Sequence, residues 1–332
     1  MVRDNIMKHA LITGGLGFIG SELANTLLKK KIVKKCIILD NFSSFINPLR
    51  SNFYDYRQQR LIKLKNLKIE RGDANNSQIV LKLLRKYKPE LIYHTAALPL
   101  AKIENLNAKE ASIGSVDATR NILESLSFIL SQSKNYKFKR FVYFSSSMVY
   151  GDFKTKIVDE NSQTNPKEIY GTMKLAGEIV TKGISNYYDI PFTIIRPSAV
   201  YGPKDMNQRV SQIFINKAVK GDLIKIHGKN EKLDFTYIDD LVEGVILSSI
   251  KQNGINNTFN ITNGKGRSLF EFVNILKKYF PQLNFILKNR DTFRPKRGTL
   301  SIKKAKKLVG YNPKITLEKG IMNYLKFLKV ID

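Results

Sequence analysis

In "HALITGGLGFIGSEL" (residues 9–23) an apolar run ends in Gly14, Gly15, Gly17 and Gly20 and passes at once into a second apolar pattern. Glycine inside an element costs roughly 0.5–1 kcal/mol relative to alanine, so its clustering here needs a local reason. A strand that hands over to a helix through glycines brings backbone N–H groups to the positive helix end, where a pyrophosphate can approach closely. The spacing is G-x-x-G-x-x-G over Gly14, Gly17 and Gly20. By itself the pattern also fits an ordinary tight turn.

The context of this loop decides the fold class. Apolar runs at "HALIT" (9–13), "CIILD" (36–40), "LKIERGD" (67–73), "ELIYHTA" (90–96), "RFVYFSS" (140–146) and "PFTIIRP" (191–197) alternate with amphipathic segments at 18–30, 77–87, 109–131 and 167–187. Continuous apolar strands alternating with helices predict a parallel sheet covered on both faces, doubly wound by right-handed crossovers. Beyond about residue 200 the rhythm loosens: a helix near 206–220, a strand at 223–228, "LDFTYIDD" (233–240) leading a helix to about 250, and "NTFNIT" (257–262). Helices near 268–280, 301–308 and 316–329 flank a basic loop, "NRDTFRPKRGTL" (289–300). The expected organisation is a first α/β domain over 1–190, with returning segments at about 233–262, and a smaller α/β cap mainly from 191–332. No internal repeat is present.

Composition narrows the classes further. The 332 residues carry a net charge of +28, which raises nucleic-acid binding as a possibility. The lysines are scattered along the chain, however, and even the dense "LLKKKIVKK" (27–35) reads as a helix end and a strand start. The expected partner is therefore a small anionic substrate, with no nucleic acid. No apolar stretch approaches the roughly 18 residues that span a bilayer, and the N-terminal run is too short for a signal peptide, so no membrane association is expected. One cysteine (Cys36) and three dispersed histidines (His9, His94, His227) argue against a disulfide framework and a zinc site, and point to a cytoplasmic setting.

Two carboxylates end strand-like runs. Asp40 follows Gly20 by 20 residues, where a carboxylate accepts hydrogen bonds from a ribose diol and repels a 2′-phosphate, favouring NAD over NADP. It also reads as a plain turn residue. Asp73 ends the third run, where it could meet the adenine. In "YGTMK", Tyr170 and Lys174 stand four apart, hence on one helix face about 5–6 Å from each other at Cβ. A lysine ammonium there would lower the phenol pKa and let the tyrosine act as a base during hydride transfer. Taken alone, the pair reads equally as a surface pair.

It is accompanied by "FSSSMVYG" (144–151), which sets three serines at the sheet's carboxyl edge. With "TGGLGFIG", "LDNFSS", "GDA", "HTAA", "RPSAVYGP", "LDFTYIDD", "FNIT" and "LVGYNP" in order, the chain resembles the extended short-chain dehydrogenase/reductase family, the nucleotide-sugar epimerases and dehydratases. The resemblance implies a Rossmann sheet and bound NAD, with Tyr170 as base, Lys174 as its pKa tuner and ribose ligand, and Ser146 as hydroxyl partner. It implies cofactor contacts from Gly14, Gly17, Phe18, Ile19, Gly20, Asp40, Asn41, Asp73, Ala74, Ala96 and Ala97, besides Tyr170 and Lys174. Pairing of the 109–131 and 167–187 helices in a homodimer is also implied.

Departures restrict the activity. Where the family's 4,6-dehydratases carry Asp–Glu, this chain has Ser147 and Met148, neither of which can serve water elimination. Leu233 replaces an arginine that reaches the diphosphate, and Ala199 and Ser115 replace asparagines. Compensation is expected from Lys102, Arg209, or Arg294, Lys296 and Arg297, with Ser147 near the sugar. The implied reaction is 4-epimerisation of a nucleotide-diphosphate sugar, a UDP-sugar being favoured. The alternatives are a net 4-dehydrogenase or reductase, another NAD-dependent epimerase or dehydratase of the same family, and a non-catalytic relative.

Overall fold

The computed structural model describes residues 6–42, 61, 64–97, 107–205 and 208–332. Seven parallel strands form the central sheet: β1 (Met7–Thr13), β2 (Val33–Asp40), β3 (Leu67–Arg71), β4 (Leu91–His94), β5 (Arg140–Phe144), β6 (Phe192–Pro197) and β7 (Asn257–Ile261). Their order is β7-β6-β5-β4-β1-β2-β3. The chain thus winds outward in both directions from the β1–β4 boundary, and the crevice at the carboxyl ends of those strands is where such sheets bind ligands.

The apolar strands are continuous because both faces are buried. Ala10, Ile12, Cys36, Ile38, Tyr93, Val142 and Phe144 pack into one core, with Leu23 and Leu27 of α1 (Phe18–Lys29). Their neighbours Leu11, Ile37, Leu39, Ile92, Phe141 and Tyr143 join a second core, with α2 (Ser77–Tyr87) and α3 (Ala118–Gln132). Successive side chains of a strand point to opposite faces, so only a sheet sandwiched between helix layers satisfies this pattern. The fold is the expected α/β Rossmann-like sheet.

The segment just beyond residue 190 belongs to the sheet, because β6 pairs parallel with β5, Phe141 opposite Phe192. Two findings depart from the expectations. The 109–131 segment is not one helix: a turn at Ala108–Ser112 leads through a π-turn at Ile113–Asp117 into α3. The wider turn meets α4 (Ile169–Tyr187), where a Cβ on Gly177 would lie 2.3 Å from the Ser115 carbonyl oxygen. The cap also holds an unexpected parallel strand pair, Ile224–His227 with Phe285–Lys288.

The cap's remaining helices are α5 (Val210–Lys220), α7 (Leu269–Tyr279) and α9 (Leu317–Phe327), while α6 (Ile238–Ile250) returns to the sheet layer and α8 (Lys303–Val309) packs against it and β7. Aromatic rings join the cap: Phe235 lies 5.1 Å from Phe272, and Tyr201 5.5 Å from Tyr237, between ring centres.

Candidate active site

A cavity of about 600 Å³ opens between the carboxyl edge of the sheet and the cap. One wall is the glycine loop. Gly14 adopts a φ of +67°, and a Cβ there would come within 2.7 Å of the Ala96 backbone. A Cβ on Gly20 would meet the Gly14 carbonyl oxygen at the same distance. No side chain caps α1 and no acidic residue stands in its first turn, so the leading amides of a positive helix end face the cavity lined by Gly17, Phe18, Ile19 and Gly20. This bare cradle fits a pyrophosphate.

The opposite wall belongs to β5 and α4. Ser146 caps a short 3-10 turn, its Oγ accepting from the Met148 amide at 3.2 Å. α4 begins at the Glu168 cap, whose carboxylate accepts from the Gly171 amide at 2.8 Å. That start sets Tyr170 in the first turn, half-buried on the cavity wall. Burial raises the Tyr170 phenol pKa; the Arg209 charge and a hydrogen bond with Ser146 act in the opposite direction. Lys174, one turn on, is buried and donates from Nζ to the Phe144 carbonyl at 2.8 Å. Desolvation brings its pKa down to about 7, against the pull of Glu178. Arg209 is thus a cation acting on the phenol, while Lys174 Nζ is engaged with the strand end and lies 5.9 Å from the centre of the Tyr170 ring.

The remaining residues fall into two groups. Thr95, Ala97, Ser145, Met148, Ala199, Arg209, Arg290, Arg294 and Arg297 line the cavity with the residues above. Burial lowers the Arg297 pKa to about 10, with Arg294 reinforcing and Glu168 opposing the shift. Ser147, in the same 3-10 turn, is buried and is not among the residues of the cavity wall. Lys296 is exposed, its backbone held by Asp152 and Phe153, so it is not on the wall with Arg297. Lys102 lies outside the described residues.

Asp40 is tied to the glycine loop, accepting from the amides of Leu16 at 3.0 Å and Phe42 at 2.9 Å. Asn41 donates to Asp73 at 2.8 Å, and the Ala74 carbonyl accepts from Asn121 at 2.6 Å. These four and Ala96 flank the cavity rather than line it. Sequence reasoning missed Glu178 and Arg196, a buried pair with nitrogen–oxygen distances of 2.7 and 2.8 Å.

A doubly wound sheet with a phosphate cradle at its switch point, facing serine, tyrosine and lysine across one cavity, defines an extended short-chain dehydrogenase/reductase. The chain belongs to the NAD dependent epimerase/dehydratase family, whose model matches residues 10–262. It is 30% identical to a dTDP-D-glucose 4,6-dehydratase of Dictyostelium discoideum over 78% of this chain and 59% of that protein. It is 29% identical to "Uncharacterized UDP-glucose epimerase YtcB" of Bacillus subtilis over 96% of this chain and 97% of the relative. Among solved structures it resembles the UDP-glucuronic acid 4-epimerase of Bacillus cereus in complex with UDP-glucuronic acid and NAD. That likeness has a TM-score of 0.86 and 26% identity, covering 97% of this chain and 99% of the other. No described helix is long and apolar enough to cross a membrane.

Proposed function

We propose that the protein is a nucleotide-sugar 4-epimerase that works on a UDP-sugar. The observation that carries this reading is the joint presence of Ser146, Tyr170 and Met148 on the wall facing the glycine cradle. Gly14, Gly17 and Gly20, with the first amides of α1, would hold the pyrophosphate of NAD, and Lys174 its ribose. NAD, when bound, supplies reversible hydride acceptance.

The chain's own residues handle the proton. The Tyr170 phenolate takes the proton of the sugar's C4 hydroxyl, becoming the neutral phenol, and returns it after the sugar has turned. Ser146 holds the same oxygen by hydrogen bonding and steadies the Tyr170 hydroxyl. Met148 stands where elimination would need an acid or base, and a thioether is neither. The keto form is thereby left to be reduced rather than dehydrated. Arg209, Arg294 and Arg297 give the cavity the cationic lining that a diphosphate requires.

The similarity to UDP-glucose and UDP-glucuronic acid epimerases supports the UDP-sugar assignment. α3 and α4 expose Phe128, Ile179 and Tyr187, apolar surface suited to a second copy, which supports a homodimer. The test is incubation with UDP-, GDP-, dTDP- and CDP-sugars, with products separated and absorbance at the NADH band followed. A 4-epimer without accumulating NADH supports the reading. Stoichiometric NADH and a keto sugar would assign a dehydrogenase instead.

A further inference from the structure

Tyr170, Lys174 and Glu178 stand at i, i+4 and i+8 of α4, on one helix face. The proposed function uses the first two. Glu178 is fully buried, and three groups meet it. Ser145 donates from Oγ to Oε1 at 2.5 Å, and Arg196 donates from Nε to Oε1 at 2.8 Å and from Nη2 to Oε2 at 2.7 Å. Arg196 Nη1 continues to the Tyr150 hydroxyl at 2.9 Å, and that hydroxyl donates to Asn260 of β7 at 2.8 Å. One carboxylate thus ties α4 to the residue before Ser146, to β6 and, through Arg196, to the far edge of the sheet.

Resting on the reading above, we propose that Glu178 is a positioning residue: clamped by Arg196 and Ser145, it fixes the register of the helix bearing Tyr170 and Lys174 against the strand end bearing Ser146, and it supplies the buried negative charge that faces Lys174. The geometry makes the clamp stiff. Two parallel N–H···O bonds to a planar guanidinium define an orientation as well as a distance. Lys174 Nζ reaches the Phe144 carbonyl, the peptide adjoining Ser145, so both α4 side chains grip the same strand end.

Besides Glu178, the groups facing Lys174 are the Tyr143 ring at 5.4 Å, the Tyr170 ring at 5.9 Å and His94 of β4. His94 bonds through Nδ1 to Thr13 Oγ1 at 2.7 Å, and burial holds its pKa at about 3, so it is neutral. Glu178 is then the carboxylate opposing the desolvation of Lys174.

The test uses the full-length protein with 13C-labelled lysine, in which the Lys174 side-chain resonance is assigned by its loss in Lys174→Met. In Glu178→Gln, the Lys174 titration midpoint should fall by about one pH unit or more, and kcat should drop tenfold or more with KM for the nucleotide sugar within twofold. Ser145→Ala, which keeps the ion pair, should lower kcat less and leave the midpoint nearly in place. If the unpaired Arg196 prevents Glu178→Gln from folding, Glu178→Gln/Arg196→Gln removes both charges and is read by the same two measurements. A wild-type midpoint or a wild-type kcat in the folded variant overturns the proposal. Lack of turnover in the wild-type protein would instead strike the proposed function, since the titration needs no substrate.

Discussion

The Lys174 ammonium points at the Phe144 carbonyl, 2.8 Å away, and lies 5.9 Å from the centre of the Tyr170 ring. Its burial carries a pH signature. The folded pKa of about 7 stands well below the ordinary lysine value of 10.5. Below about pH 7 the folded protein bears the full cost of burying this charge; between those limits the unfolded chain binds more protons, so that cost fades as pH rises through the window. Lys174→Met should therefore stabilise the protein most near pH 6–7, and the advantage should shrink by pH 10. Thermal melts of both proteins across that range check it; a constant difference would contradict the burial.

Tyr170→Phe should remove turnover while leaving the melting temperature within a few degrees, because the ring still packs and only the ionisable hydroxyl is lost. Arg209→Gln removes the cation that favours the phenolate. The ascending limb of the kcat–pH profile should accordingly move to higher pH. Steady-state rates across pH decide both outcomes.

Arg297 and Lys296 are neighbours with opposite surroundings. Arg297 lines the cavity and Lys296 is exposed outside it. Arg297→Ala should raise KM for a nucleotide sugar by about tenfold or more, the size of one charge-assisted contact of roughly 1.5–3 kcal/mol. Lys296→Ala should change KM less than twofold. Equal effects would place the diphosphate elsewhere.

Ala199 carries a backbone φ of +36° on the cavity wall. A side chain bearing a Cβ is strained there, by about 1 kcal/mol. Ala199→Gly should raise the free energy of unfolding by about 0.5 kcal/mol, part of the relief being offset by glycine's chain entropy. Urea titration measures it.

What the sequence disclosed follows the range of the interactions involved. The strands, the glycine turn and the Tyr170–Lys174 spacing are local patterns, and the seven strands of the central sheet lie where apolar runs predict them. Three features were not legible because they arise from contacts between distant segments. The π-turn at Ile113–Asp117 is shaped by the close packing of Gly177 against it. The Glu178–Arg196 pair joins residues 18 apart, on α4 and β6. The separation of Arg297 from Lys296 depends on which side of the 289–300 loop meets the cap. Charge counting along "RPKRG" made those two cations equivalent, and their burial makes them different.

The central claim concerns the fate of the keto sugar. Loss of water across C5 and C6 requires a proton to leave C5, and Met148 offers no group to take it. General acids and bases contribute about 10²–10⁴-fold each, so elimination here should be negligible. The direct measurement is a reaction with UDP-glucose or UDP-glucuronic acid in deuterated water with NAD, the recovered sugars analysed by NMR and mass spectrometry. The account predicts the C4 epimer with no deuterium at C5. A 6-deoxy-4-keto product, or extensive deuterium at C5, would contradict it.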